Sequence, residues 1–117
     1  MKDVIRRVKE WYLDNQLFTK SNPVMQASKL IEEAKELLNA AEDYQCLRDT
    51  DFKIEAEKLK ALKYEIGDVT IVCIGICHMI GATQEECAAM SLDKIEARKV
   101  KWVAGELTKD DDCLYPL

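Results

Sequence analysis

The sequence predicts a single all-α domain built from four helices. The 117-residue chain is 48% hydrophobic and has only 4 Gly and 2 Pro, a composition that argues against both a disordered chain and a turn-rich β-sandwich. Apolar residues recur at helical spacing along most of the chain. A chain of this length suits one hydrophobic core rather than two. We therefore expect one domain over residues 1–117, with residues 100–117 forming a short extended segment and a loose tail.

The first predicted helix covers residues 3–14. Its apolar residues at helical spacing are Val4, Ile5, Val8, Trp11 and Tyr12. A loop is expected over residues 15–21. The second predicted helix begins after Asn22, because Asn is a favoured N-cap and Pro23 suits the first helical position. Its apolar stripe continues to about residue 47.

The third predicted helix begins after a break at residues 48–51, where Thr50 or Asp51 is available as its N-cap. It ends at Gly81, since glycine readily adopts the left-handed conformation that terminates a helix. Predicted helices 2 and 3 are both long and are joined by a short break. They should therefore pair as a long antiparallel hairpin.

The fourth predicted helix spans about residues 84–99. The segment 83–86, Thr-Gln-Glu-Glu, has the pattern of a capping box at its start. Lys94, Arg98 and Lys99 fall in its predicted last turns, where cations interact favourably with the helix dipole.

The segment 69–80 is apolar on every face of the third predicted helix, which indicates burial all round. One short four-helix chain can hardly cover such a segment along a hairpin of this length. We therefore expect a homo-oligomer with this segment at or near the interface. At 12 residues the segment is too short to span a bilayer, so no membrane partner is expected.

The overall charge and the start of the chain limit the other partners. The formal net charge of −5 argues against sequence-independent binding to nucleic acid. No apolar run follows the charged residues at the start, so we expect a cytoplasmic protein rather than a secreted one.

Two pairs of acidic residues stand three positions apart, Glu33 with Glu36 and Glu65 with Asp68. In an antiparallel hairpin that turns at residues 48–51, Glu33 lies level with Asp68 and Glu36 lies level with Glu65. Helical geometry places Glu33 and Glu65 at the edge of the apolar stripe of their helices, and Glu36 and Asp68 further round on the same side. The sequence therefore predicts a cluster of four carboxylates.

Four neighbouring carboxylates raise one another's pKa unless a cation is present. A site of oxygen ligands alone is typical of Mg²⁺, with Mn²⁺ as an alternative. Solvated faces that form salt bridges remain the other interpretation of these acids. A redox di-iron centre is excluded, because it needs Glu-x-x-His on two helices and His78, the only histidine, has Gly75 three residues before it.

The order of these motifs resembles the MazG-like family of all-α nucleoside triphosphate pyrophosphatases, in its compact phage-type form. The motifs that carry the resemblance are Glu10-Trp11, Asn22-Pro23, Gln26-x2-Lys29-Leu30-x-Glu32-Glu33-x2-Glu36-Leu37, Glu65-x2-Asp68-Val69 and Lys94-Ile95-x2-Arg98-Lys99-x-Lys101, followed by Gly105 and Lys109. The resemblance covers most of the chain. It implies a four-helix MazG-like bundle that assembles as a dimer or as a tetramer made of two dimers.

The resemblance also implies an activity, the Mg²⁺-dependent hydrolysis of a nucleoside triphosphate between its α- and β-phosphates to a monophosphate and pyrophosphate. The matching metal-binding and catalytic residues are Glu33, Glu36, Glu65 and Asp68. The matching substrate-binding residues are Gln26, Lys29, Lys94, Arg98 and Lys101, with Trp11 stacking on the base or serving in the core or an interface instead. Two alternative functions stay open. One is the activity of the related phosphoribosyl-ATP pyrophosphatase, and the other is a non-catalytic role as a helical binding or assembly module.

Overall fold

A computed structural model describes residues 1–47 and 51–109 of the chain. In order, the elements are α1 (Lys2–Asp14), α2 (Leu17–Lys20), α3 (Pro23–Leu47), α4 (Phe52–Ile80), α5 (Gln84–Glu96), β1 (Val100–Val103) and β2 (Glu106–Lys109). The chain is mostly helical, which confirms the predicted all-α class. It divides into two compact units, Met1–Ala82 and a second unit that begins at Thr83.

Side-chain caps fix the starts of α3 and α4, as the sequence predicts. The Met25 backbone N–H donates to Asn22 Oδ1 at 2.9 Å, and the Asp51 side chain accepts from the backbone N–H groups of Lys53 and Ile54. Of the two predicted caps for α4, Asp51 is the one used. The remainder of the predicted break, residues 48–50, lies outside the described residues.

The long antiparallel pairing of α3 with α4 forms the body of the first unit. At its far end, α4 stops where Gly81 adopts a left-handed conformation with φ of 71°, in agreement with the predicted terminator. No single helix in the described part of the chain is long and apolar enough to cross a membrane, whereas α4 and α5 taken together as one broken span meet that test by length and composition.

A short helix, α2, occupies the segment that the sequence predicts as a loop. The chain reverses at Gln16, which has a left-handed φ of 61°, and the next residue, Leu17, is buried. Phe18 then packs on His78 of α4, with ring centroids 5.0 Å apart. Packing against α4 therefore orders a segment whose own sequence shows no helical periodicity.

The hydrophobic core of the first unit lies where α1 and α2 pack on the C-terminal half of α4. It contains Val8, Tyr12, Leu17 and Ile74, of which Ile74 is the most deeply buried at 2% exposure. The core therefore draws on α1, α2 and α4 and holds α1 beside the α3/α4 hairpin.

The second unit begins with the predicted capping box, in which Thr83 Oγ1 accepts from the Glu86 N–H and the Glu86 carboxylate accepts from the Thr83 N–H. The predicted end of this helix at residue 99 is wrong, because α5 ends at Glu96. The Arg98 N–H closes a tight turn onto the Ile95 carbonyl at 3.0 Å, after which Val100 starts a strand. The segment Val100–Val103, which contains two β-branched valines, pairs with β2 as a strand, so the helix does not continue through it.

The predicted extended segment is an antiparallel hairpin, with Trp102 opposite Leu107 and Val103 opposite Glu106. Ala104 and Gly105 form its turn with φ values of 51° and 81°. Two consecutive positive φ angles are the mark of a type I′ turn, which matches the right-handed twist of the strands. The tail predicted beyond residue 109 lies outside the described residues.

Candidate metal centre

The four predicted carboxylates meet across the α3/α4 hairpin. Glu33 and Glu36 come from α3, and Glu65 and Asp68 come from α4. One oxygen from each residue can be chosen so that all four oxygens lie within 4.8 Å of one another. We call these four residues the carboxylate cluster. Within each helix the two acids are three residues apart, and across the hairpin Glu33 lies level with Asp68 and Glu36 with Glu65. The four side chains therefore lie together, as the sequence predicts.

Two side chains of the carboxylate cluster are shielded from solvent and the other two are exposed. Glu33 is only 8% exposed and Glu65 is partly buried, whereas Glu36 and Asp68 are exposed. Glu33 Oε2 and Glu65 Oε2 are both buried and accept no hydrogen bond. A buried carboxylate oxygen without a partner costs free energy, which a bound cation would offset. The donor set therefore fits a hard divalent cation such as Mg²⁺ or Mn²⁺.

The charges of the cluster perturb one another. The negative charge of Glu33 is the largest cause of the raised pKa of Glu36, to which a side-chain hydrogen bond with Glu33, partial desolvation and Glu65 also contribute. Glu33 in turn accepts from Lys29, whose Nζ lies 3.2 Å from Glu33 Oε1 and 3.6 Å from Glu32 Oε2. The hydrogen bond to Glu33 raises the pKa of Lys29. Lys29 is thus the built-in counter-charge of the cluster.

A large cavity of about 1160 Å³ opens beside the cluster. Five residues that the sequence assigns to the site line this cavity: Trp11, Gln26, Lys29, Glu33 and Asp68. The other two carboxylates, Glu36 and Glu65, line a smaller cavity of about 290 Å³. The cluster therefore contributes carboxylates to two cavities, and the larger one has the size of a small-molecule site.

Trp11 forms part of the wall of the large cavity and is mostly exposed, so it does not serve in the core. Its ring makes an edge contact with the Tyr12 ring at a centroid distance of 5.2 Å. Tyr12 is buried and its hydroxyl donates to the Ile71 carbonyl oxygen at 3.1 Å. The helix that carries Trp11 is therefore fixed to α4 one turn beyond Asp68.

Three of the predicted substrate-binding residues belong to the second unit. Lys94 lies in the last turn of α5, Arg98 follows the end of that helix, and Lys101 lies on β1. The sequence places Arg98 in the last turns of the fourth predicted helix, and this is wrong because α5 ends at Glu96, before Arg98. Their contact with the triphosphate stays a prediction.

Two cations that line the large cavity are absent from the sequence-based set, Arg7 on α1 and Lys20 on α2. Arg7 could have been found, since it precedes Trp11 by four residues and so shares its helical face. Lys20 could not, because the helix that carries it is not visible in the sequence pattern.

Comparisons with known proteins return no match. No protein-family model matches the chain, and neither a curated protein nor a solved structure shows significant similarity to it.

Proposed function

We propose that this chain is a Mg²⁺-dependent nucleoside triphosphate pyrophosphohydrolase of the MazG-like type. It would cleave between the α- and β-phosphates and release a nucleoside monophosphate and pyrophosphate. The observation that carries the proposal is the carboxylate cluster, with its two buried and unpartnered oxygens, at the edge of a cavity lined by an exposed tryptophan. The order of motifs in the sequence supports the same activity.

The carboxylate cluster would hold the cation through the oxygens of Glu33, Glu36, Glu65 and Asp68. Bound Mg²⁺ would neutralise phosphate oxygens and favour attack by water on the α-phosphorus. A cluster oxygen that is not used in coordination can accept the proton that the attacking water loses. Two of the four side chains are exposed, so the cluster can both hold a cation and reach solvent.

The large cavity would hold the nucleotide. Trp11 offers an aromatic face on which a base can stack, and Gln26 offers an amide beside Ser21, to which it donates a 2.9 Å hydrogen bond. Lys29 shares the cavity wall with Glu33 and Asp68, so its ammonium group lies beside the place where phosphates would meet the cation. In this arrangement the base and the phosphates occupy one continuous space.

The homo-oligomer that the sequence predicts, a dimer or a tetramer of two dimers, is part of the proposal. The described residues of the first unit leave many large apolar side chains exposed, including Ile31 and Leu38 on α3 and Ile66 on α4. Association of copies would cover such side chains.

The direct test is pyrophosphate release from a panel of the common NTPs and dNTPs, together with phosphoribosyl-ATP, with Mg²⁺ and with a chelator. We expect Mg²⁺-dependent release from at least one nucleoside triphosphate. Glu36→Gln should abolish it without unfolding the chain, because the variant keeps the side-chain shape but removes a ligand charge. The matched control is Glu57→Gln, an exposed glutamate of α4 outside the cluster, which should retain full activity.

Each other outcome has a definite meaning. Release from phosphoribosyl-ATP alone would replace the proposed substrate class by that of the related pyrophosphatase. No release from any compound in the panel would favour a binding or assembly module. Turnover that survives Glu36→Gln unchanged would keep the reaction but move its centre away from the cluster.

A further inference from the structure

Lys29 is the basic side chain that contacts the carboxylate cluster. Its Nζ lies 3.2 Å from Glu33 Oε1, and within residues 1–47 and 51–109 no other lysine or arginine forms an ion pair with Glu33. The second oxygen of that carboxylate, Oε2, is buried without a hydrogen-bond partner. Because the Glu33 side chain is only 10% exposed, water screens its charge poorly. The Lys29 ammonium group therefore takes the place of a cation at the most buried residue of the cluster.

The contact between Lys29 and Glu33 is one that Lys29 can leave. The Lys29 side chain is 51% exposed, and its Nζ also lies 3.6 Å from Glu32 Oε2. Glu32 is 69% exposed and does not line the large cavity. A pair four residues apart with lysine first is also the weaker orientation of such a pair on a helix. Lys29 can therefore move without losing every anionic neighbour, whereas the buried charge of Glu33 needs another cation in its place.

Lys29 and a divalent cation held by the carboxylate cluster would share Glu33. One oxygen from each of the four carboxylates lies within 4.8 Å of the others, so a cation held by all four is also held by Glu33. Its two positive charges would then lie beside the Lys29 ammonium group, and like charges at such a short distance repel. The cation interacts with four carboxylates, whereas Lys29 pairs with Glu33 alone among them. Binding of the cation should therefore favour departure of Lys29 from Glu33.

The large cavity contains the space into which the Lys29 ammonium group can move. Lys29 lines this cavity beside two residues of the carboxylate cluster. Glu10 and Asp14 line it as well, but in the described part of the chain neither forms an ion pair with Lys29. A phosphate chain bound to a cation at the cluster would bring several anionic oxygens to the part of the cavity that Lys29 borders. Lysine binds such oxygens as a compact positive charge, so the displaced group would again have an anionic partner.

We propose that Lys29 exchanges partners when the ligands bind. It neutralises Glu33 in the metal-free chain, leaves Glu33 when the carboxylate cluster binds a divalent cation, and then binds the phosphate chain beside that cation. The inference rests on the proposed function, which supplies the identity of the anion. Lys29 thereby couples the two ligands, because metal binding frees the group that the phosphates use. Such coupling is reciprocal, so the phosphate chain should in turn strengthen metal binding.

The first experiment follows Lys29 itself in the wild-type full chain and needs no turnover. NMR of protein made with isotope-labelled lysine reads the Nζ chemical shift of each lysine through its Cε protons, and the Lys29 signal is the one absent from Lys29→Arg. Mg²⁺ is added first and inorganic tripolyphosphate second. We expect Mg²⁺ to shift the Lys29 signal and tripolyphosphate to shift it again. The signal of Lys35, an exposed lysine of α3 that lines neither cavity, should stay in place.

The second experiment compares Lys29→Gln with Lys35→Gln by calorimetry. Both variants remove one lysine charge from α3, but only the first removes the contact with Glu33. Lys29→Gln should strengthen binding of Mg²⁺ alone by about threefold, because no ion pair has to be broken. It should weaken binding of tripolyphosphate at saturating Mg²⁺ by about tenfold or more, the loss typical of one charged hydrogen bond. Lys35→Gln should change each affinity by less than about twofold, and circular dichroism checks that both variants fold.

The outcomes separate this inference from the proposed function. A Lys29 signal that saturating Mg²⁺ does not shift would overturn the departure from Glu33. Equal tripolyphosphate binding by the two variants, or a Lys29 signal that tripolyphosphate does not shift, would overturn the transfer to phosphate. Each of these results in a chain that releases pyrophosphate would leave the activity standing. Both expected shifts in a chain that releases no pyrophosphate would support the exchange and overturn the activity, and a chain that binds no Mg²⁺ would overturn both.

Discussion

The ring of Tyr12 lies directly against Gly75, across the contact between α1 and α4. A Cβ atom at residue 75 would lie 2.7 Å from Tyr12 Cζ and 2.9 Å from its hydroxyl oxygen. Both residues are buried, and the hydroxyl also donates to the Ile71 carbonyl oxygen. A glycine on α4 thus makes room for the side chain that fixes the helix carrying Arg7 and Trp11.

Gly75→Ala should therefore destabilise the chain. Alanine gains about 1 kcal/mol of helix propensity over glycine, but a buried clash of this kind costs about 1–3 kcal/mol and forces Tyr12 to shift. Gly67→Ala is the matched control, because a Cβ at residue 67 of the same helix meets no atom within 4 Å. Urea unfolding should show a lower free energy of unfolding for Gly75→Ala and a higher one for Gly67→Ala. Stabilisation by both substitutions would contradict the contact.

The turn of the β1/β2 hairpin contains a residue that is poorly suited to its backbone conformation. Ala104 has a φ of 51°, a region that costs residues with a Cβ about 1 kcal/mol and that Asn tolerates better. Ala104→Asn should stabilise the hairpin locally, by a few tenths of a kcal/mol to about 1 kcal/mol. Slower hydrogen exchange of hairpin amides would show this, with the exchange of core amides in α4 as the internal reference. Faster exchange in the variant would contradict the assigned turn.

Local signals in the sequence predict the helix boundaries well where a side chain or a glycine sets them. Asn22, Asp51, Thr83 and Gly81 act within one turn of themselves, so their effects depend little on the rest of the fold. The carboxylate cluster also follows from local information, because helix spacing and one short break determine which residues are level.

Tertiary packing determines the features that the sequence does not predict. The helix α2 forms because Leu17 enters a core built by α1 and α4, and nothing within residues 15–21 specifies that contact. Likewise α5 stops at Glu96 because Val100 pairs with Lys109, nine residues later in the chain. The cavity and its cations Arg7 and Lys20 depend on both the placement of α1 and the formation of α2.

An apolar stripe on α3 is left uncovered in the single chain. Val24, Ile31 and Leu38 recur every seven residues and are 76%, 59% and 58% exposed. By helical geometry they lie on the face opposite Lys29 and Glu33, so the stripe is separate from the carboxylate cluster. A seven-residue apolar repeat is typical of helices that pack on another helix.

We therefore expect the chain to form a dimer or larger assembly through surfaces that include this stripe. Ile31→Lys should lower the mass measured by light scattering at micromolar concentration, because a lysine would have to be buried without a partner. Glu57→Lys, a charge change at an exposed position of α4, should leave the mass unchanged. A wild type that elutes as a stable 13.4 kDa monomer would contradict the expected assembly.

Divalent cations should stabilise the folded chain through the carboxylate cluster. A ligand that binds only the folded state adds stability, about 2.7 kcal/mol at one hundred times its dissociation constant. Mg²⁺ or Mn²⁺ should thus raise Tm by several degrees, and Asp68→Asn should reduce that rise while Glu57→Gln should not. Glu36→Gln should also raise Tm in chelator, because it removes repulsion from Glu33. A melting curve indifferent to millimolar Mg²⁺ and Mn²⁺ would count against the site.

The same repulsion predicts how the stability of the metal-free chain depends on pH. The charge of Glu33 raises the pKa of Glu36 above its ordinary value of 4.5, so the folded state holds the Glu36 proton more tightly than the unfolded state does. The stability that this proton contributes is complete below about pH 4.5 and is lost as the pH rises through the raised pKa. The pKa values of Lys29 and Tyr12 are also raised, but these groups titrate only above about pH 10. They therefore do not change the stability in the pH range in which Glu36 titrates.

In chelator, the wild type should therefore lose more stability between pH 4.5 and pH 7.5 than Glu36→Gln does, both measured as Tm by calorimetry. Comparison with this variant is needed because the other carboxylates contribute the same background to both proteins. Saturating Mg²⁺ should remove the difference, since a cation favours the ionised carboxylate and so lowers the pKa that Glu33 raises. If the pH dependence of Tm were identical in the two proteins without metal, the charges of Glu33 and Glu36 would not be coupled in solution. The carboxylate cluster would then be a solvated acidic face, and the proposal that it binds a divalent cation would lose its electrostatic basis.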